Sequence, residues 1–236
     1  RFIVTGSQQF GLLAGVSQSL AGRVGLTRLL PLALAEMPHQ EDQAASLDVT
    51  MLRGGYPAIH AQRLDPRDWF ASYVATYIER DVRQVLNVQD LSTFQRFLRL
   101  CAGRVGQMLN LSTLAGEAGI THSTARAWLS VLESSGLVYL LPPYHRNFGK
   151  RLVKTPKLHF LDVGLACWLL GIRSPEALAL HPLRGALFET LVVSEFIKAR
   201  FNQGQPAGLY FWRDNNGLEA DLLFEQGGAL QTIEIK

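Results

Sequence analysis

Hydrophobic positions recur along the chain at two spacings, and the place where one gives way to the other divides it. Trp69, Phe70, Tyr73, Val74, Tyr77, Ile78, Val82, Val85 and Leu86 follow a helical period. They predict a long amphipathic helix from 66 to about 87, opened by Asp65 as cap and Pro66 at its first position. The Glu79-Arg80-Asp81 triplet on it reads as a charged, self-paired face. A second helix is expected from 93 to about 109, with Phe94, Phe97, Leu98 and Cys101 inward. Next, Ser112 caps a short helix bearing Leu114, Ala115 and Ala118, Gly119-Ile120 turns the chain, and Thr121 caps a helix bearing Ala125, Trp128, Leu129 and Leu132 that stops at Gly136. A small residue, a glycine four later and an apolar residue next to it is the packing pattern of a helix-turn-helix. It leaves His122, Ser123, Arg126 and Ser130 facing outward.

Beyond Gly136 the pattern shortens to strands. Residues 137–141 and 158–161 read as a hairpin, so that three helices and two strands make a winged helix-turn-helix. A short apolar helix is expected over 162–171 and a longer one over 185–201, carrying Glu189 and Glu195. The chain then reads as a three-stranded meander over 209–213, 218–224 and 229–236, with turns at 214–217 and 227–228. Alternation puts Glu219 and Asp221 on one face of their strand, and Thr232, Glu234 and Lys236 on one face of the next.

That placement brings carboxylates and a lysine together. The spacing of Asp221 to Glu234-Ile235-Lys236 resembles the Asp-x(n)-Glu-x-Lys core of restriction-endonuclease-like folds, with Glu189 in the place of the extra glutamate on the preceding helix. The resemblance implies a phosphodiesterase in which Asp221 and Glu234 hold Mg²⁺, Lys236 orients water or stabilises the transition-state charge, and Glu189 supports them. The competing reading is a solvated strand face whose charges pair across strands.

Composition narrows the classes. Of 236 residues 47% are hydrophobic, as in globular protein, and no apolar run reaches the roughly 18 residues that span a bilayer. There is no signal-peptide pattern, and Cys101 and Cys167 lie in apolar contexts without metal-ligand spacing, which suggests reduced thiols in the cytoplasm. A net charge of +3 is too small to argue for nucleic acid. Its distribution says more: no acidic residue lies between Glu133 and Asp162, whereas Arg146, Lys150, Arg151, Lys154 and Lys157 do. A basic face with Arg126 beside it suits DNA, the loop residues on phosphates and Arg126 near bases or phosphates. A protein-docking role for the same module is the alternative. The six histidines show no ligand spacing, and no phosphate-cradling Gly-rich loop is present.

Phe2-Ile3-Val4-Thr5-Gly6-Ser7-Gln8, Ser19-Leu20-Ala21-Gly22-Arg23, Arg53-Gly54-Gly55-Tyr56-Pro57, Tyr77-Ile78-Glu79-Arg80-Asp81-Val82, the stretch 157–165 and Phe188-Glu189 together resemble prokaryotic AAA-type ATPases fused to a C-terminal domain of unknown function. The resemblance implies a parent that binds ATP and Mg²⁺ through Walker motifs lying before Arg1, so that this chain alone neither binds ATP tightly nor hydrolyses it. Thr5 and Ser7 stand at the place of a γ-phosphate sensor, and Arg23 at that of an arginine finger. The expected architecture is α/β and α+β multidomain: a C-terminal remnant of the AAA core over 1–37, a helical linker over 38–90, the winged helix over 91–161, and an incomplete restriction-endonuclease-like α/β unit over 162–236. Expected partners are DNA or a protein and no membrane; an oligomer is compatible with this plan.

Overall fold

The computed structural model describes residues 27–37, 46–78, 90–144, 155–214 and 217–236. Thr5, Ser7, Arg23, Arg146, Lys150, Arg151, Lys154 and the Glu79-Arg80-Asp81 triplet lie outside the described residues. The architecture is mixed α and β, with helices preceding two small antiparallel sheets.

A single 3-10 turn, Leu34–Glu36, precedes helix α1, Leu47–Arg53, which Ser46 caps. Helix α2, Pro57–Ala61, follows the two glycines of the Arg53-Gly54-Gly55-Tyr56-Pro57 motif. Both glycines answer to close approaches. Gly54 sits at φ +66 with a would-be Cβ 2.5 Å from Asp162 Oδ1, and one on Gly55 would lie 2.4 Å from the Leu32 carbonyl. The Asp162 carboxylate, wholly buried, accepts Gly55 N–H at 2.6 Å and Leu165 N–H at 2.8 Å. Burial pushes its pKa up, and the amide hydrogen bonds and Lys198 work against that rise. It thereby pins the turn after α1 to the N-terminus of helix α7, Val163–Leu169.

Helix α3, Pro66–Tyr73, opens on Asp65 and Pro66 as expected, but passes into a π turn, Val74–Ile78. Its Trp69 stacks on Tyr73 at 4.8 Å and meets Tyr56 at 4.7 Å between centroids. Helix α4, Leu91–Ala102, is capped by Asp90 and ends short of 109, because Gly103 and then Gly106, at φ +71, break the helical path. Helix α5, Leu111–Ala118, is capped by Asn110 rather than Ser112, and Gly119 closes it in the left-handed region at φ 74. Helix α6, His122–Ser134, is capped by Thr121. Leu114, Ala115, Ala118, Ala125, Trp128, Leu129 and Leu132 are buried together, and Phe94 and Phe97 pack edge-on against the Trp128 ring.

Strands β1, Val138–Leu141, and β2, Lys157–Phe160, pair antiparallel with Val138 opposite Phe160 and Leu141 opposite Lys157. After α7 comes helix α8, Pro175–Ala179, and the long helix α9, Arg184–Asn202. Strands β3, Leu209–Arg213, β4, Glu219–Gln226, and β5, Ala229–Ile233, form the meander in the order β3-β4-β5. One apolar core gathers the helices, and a second joins Leu141 and Leu161 to Val193, Ile197, Leu209, Phe211 and Leu222. No described helix is long and apolar enough to cross a membrane.

Candidate functional site

Two surfaces answer to the sequence-predicted sites. The first is built where β2 passes beneath α9 and β4. Lys157 opens β2 with a side chain only 4% exposed, and three carboxylates gather at its ammonium. Nζ lies 2.8 Å from Glu189 Oε1 on α9 and 3.8 Å from Asp221 Oδ1 on β4, and it pairs with Glu219, two residues along β4 from Asp221. The alternation of β4 gives Glu219 and Asp221 their common face. The Phe211 ring centroid stands 5.5 Å from the same ammonium, and Arg213 Nη1 approaches Glu219 at 3.4 Å.

The electrostatics follow from burial. Desolvation disfavours the Lys157 ammonium, but Glu189 and Glu219 outweigh it and hold its pKa above the ordinary lysine value. The Glu189 pKa is raised, first by desolvation, with Lys157 opposing and Asp221 and Glu219 adding like-charge repulsion. Burial thus disposes Glu189 toward its protonated form. Next along the same strand face, His159 is fully buried, with Nδ1 3.0 Å from Thr190 Oγ1. Its Nε2 has no hydrogen-bond partner among the described residues and stands 3.9 Å from Glu189. Burial, reinforced by Lys157, pushes its pKa down to about 3, so the ring is neutral.

Of the expected quartet, Glu189 and Asp221 converge. Glu234 and Lys236 stand beyond the end of β5, paired with each other at 3.5 Å and 59% and 83% exposed. Asp221 Oδ2 accepts Ile235 N–H at 2.8 Å. The cation compensating the carboxylates is thus Lys157 rather than Lys236, and Lys157 belongs to no exposed basic face. The reason is long-range: β5 ends at Ile233, while the packing of α9 on β2 delivers a lysine from a distant segment. Among the described residues no group of three or more His, Cys, Asp or Glu is placed to hold a metal ion. With an ammonium at their centre, Glu189, Glu219 and Asp221 do not fit Mg²⁺, which requires such oxygens at roughly 2.1 Å in octahedral array. Sequence reading missed the Lys157–His159 pair. Its signal was present, two polar residues alternating with Leu158 and Phe160 in a strand whose every residue is buried.

The second surface is the outer face of α6. His122, Ser123, Arg126, Ala127 and Ser130 are exposed, opposite the buried Ala125, Trp128 and Leu129. The N-terminal end of α6 comes just after the left-handed turn at Gly119, and His122 and Ser123 of its first turn are exposed. The segment joining β1 to β2 contains Arg146, Lys150, Arg151 and Lys154.

A family model described as "Domain of unknown function (DUF8612)" matches residues 44–176, and one described as "Domain of unknown function (DUF4143)" matches residues 184–236. The chain is similar to "Uncharacterized protein Mb2031c" of Mycobacterium bovis and "Uncharacterized protein Rv2008c" of Mycobacterium tuberculosis. Each is 33% identical over 238 residues, aligned with 100% of this chain and 52% of the relative. The chain therefore spans about half the length of the curated relatives it matches. None of these descriptions names an activity, and no solved structure matches the chain.

Proposed function

The chain belongs to the DUF8612 family, and we propose that it is a module that engages duplex DNA without cutting it, part of a longer ATP-hydrolysing protein of the AAA type. The observation that carries the DNA reading is the polar outer face of α6. Arg126 and His122 stand exposed on a helix whose opposite side is buried in a three-helix core, and that core runs directly into a two-stranded hairpin. This is the arrangement in which a winged helix-turn-helix lays its second helix into a major groove. Phosphate contacts fall to Arg146, Lys150, Arg151 and Lys154 of the connecting segment, and base-edge contacts to Arg126.

The absence of cutting follows from Lys157. A buried ammonium lodged among Glu189, Glu219 and Asp221 occupies the place where a divalent cation would have to sit to be held by them. The restriction-endonuclease-like unit acts as a rigid support for the hairpin, through Tyr144 N–H to the Phe211 carbonyl at 2.7 Å and Phe211 N–H to the Pro142 carbonyl at 3.1 Å. Nucleotide turnover belongs to the part of the longer protein that carries the Walker motifs, with Thr5, Ser7 and Arg23 as this chain's contribution.

The test is a salt titration of binding to a labelled duplex. The triple substitution Lys150→Ala, Arg151→Ala, Lys154→Ala is expected to flatten the log–log salt slope by up to ~3 units while leaving sequence preference in place. A slope unchanged by the triple variant removes the hairpin from the interface. A protein partner in place of DNA is the outcome if no duplex binds at low salt.

A further inference from the structure

A pocket of about 490 Å³ opens away from both surfaces, between the α2–α3 turn and the C-terminal end of α7, and three arginines line it: Arg63, Arg67 and Arg173. Their neighbours do not neutralise them equally. Arg67 Nη2 is paired with Asp65 at 2.9 Å. Arg173 lies over the Trp168 ring at 4.9 Å and donates from Nη1 to the Trp168 carbonyl at 2.6 Å, meeting no carboxylate among the described residues. Desolvation first, then repulsion from Arg67 and Arg99, lowers its pKa. The Arg63 guanidinium meets neither a hydrogen-bond acceptor nor a carboxylate among the described residues.

Arg63 stands out on backbone grounds as well. It is the single described non-glycine residue with positive φ, at 51, in the turn where Leu64 N–H reaches the Ile59 carbonyl at 3.2 Å. Glycine is the residue that relieves such a helix-ending turn. A strained arginine beside two others, against the single carboxylate of Asp65 that also lines the pocket, leaves an excess of positive charge at the rim of a cavity whose apolar wall includes Leu64, Pro66, Phe70 and Trp168. The Trp168 N–H is spent on the Arg67 carbonyl at 3.1 Å, so the indole presents carbon rather than a donor.

We propose that this pocket binds a small organic phosphate of nucleoside-monophosphate size, its phosphate between Arg63 and Arg173 and its ring against the apolar wall. Guanidinium forks match phosphate oxygens in pairs. The volume falls in the range of small-molecule sites and exceeds what a bare phosphate fills.

Calorimetric titration of the full chain with adenosine 5′-monophosphate, adenosine, inorganic phosphate and a tri-glutamate peptide tests this. The nucleotide is expected to bind with a Kd of ~1 mM or tighter, at least ~10-fold more tightly than the other three. Arg63→Gly is expected to weaken it ~10-fold or more while the melting temperature holds or rises, since that substitution relieves the turn. Equal binding of nucleotide and adenosine, of nucleotide and phosphate, or of nucleotide and peptide overturns the proposal, as does wild-type affinity in Arg63→Gly. Absence of saturable nucleotide binding to the folded chain overturns it too.

Discussion

Replacing Lys157 by Met removes the one buried cation from a set of three carboxylates while keeping most of the side-chain volume. Glu189, Glu219 and Asp221 are 16%, 26% and 19% exposed, so water screens them only in part. At an effective dielectric near 20, unit charges roughly 3 Å apart attract by about 5 kcal/mol, part of which the cost of desolvating the ammonium offsets. Removing one partner of a buried pair costs about 3–5 kcal/mol, and that is the loss expected for Lys157→Met at pH 8. The acid side carries the diagnostic. The Glu189 pKa is already raised by burial, and losing the ammonium raises it further, so protonation relieves the variant as pH falls. The loss at pH 5 is expected to be smaller by ~1 kcal/mol or more, and Lys157→Met with Glu189→Gln to recover ~1–2 kcal/mol. On the alkaline side the sign reverses. Lys157 has a folded pKa raised above 10.5, so its contribution is complete below that pH and is lost as pH rises through the folded value. Urea unfolding followed by circular dichroism at pH 5 and pH 8 measures the loss and its relief on the acid side. A loss under ~1 kcal/mol at pH 8, or an equal loss at both pH values with no recovery in the double variant, refutes the argument.

His159 has its folded pKa pushed down to about 3 from 6.5, so the unfolded chain takes up a proton that the native one refuses; stability is expected to fall below pH 6.5 by up to ~1.4 kcal/mol per pH unit, and His159→Gln to lose that slope in acid-unfolding curves. Gly54→Ala places a Cβ 2.5 Å from Asp162 Oδ1 on a residue at φ +66, and calorimetric melting should report a loss of roughly 2–4 kcal/mol. Burial pushes the Cys101 and Cys167 thiols up to about 12, so thiol labelling is expected only on unfolding.

How far the sequence was legible varies from element to element, for reasons of range. The caps Asp65 and Thr121, the inward face of α6 and the strand alternation of β4 are local properties, and the observed elements follow them. Boundaries moved where a local signal had competitors: Asn110 rather than Ser112 caps α5, and Gly103 stops α4 early. The candidate site was half legible. Glu189 and Asp221 converge as the helix-then-meander order suggested. The cation between them comes from a strand separated by 32 positions from Glu189, and no periodicity within either segment encodes that pairing. The Arg53-Gly54-Gly55-Tyr56-Pro57 motif was visible in the sequence as one of the stretches carrying the family resemblance. That its glycines make room for the Asp162 carboxylate and the Leu32 carbonyl required the packed chain.

The central claim, that the outer face of α6 meets DNA, is tested most directly by charge reversal of Arg126, an exposed residue whose change leaves the core untouched. Fluorescence anisotropy of a labelled duplex at low salt is expected to show binding by the wild-type chain, weakened ~10-fold or more in Arg126→Glu at unchanged melting temperature, with the duplex intact after incubation in Mg²⁺. Binding by Arg126→Glu equal to wild type, no binding by either, or cleavage of the duplex that is lost in Asp221→Ala contradicts the account.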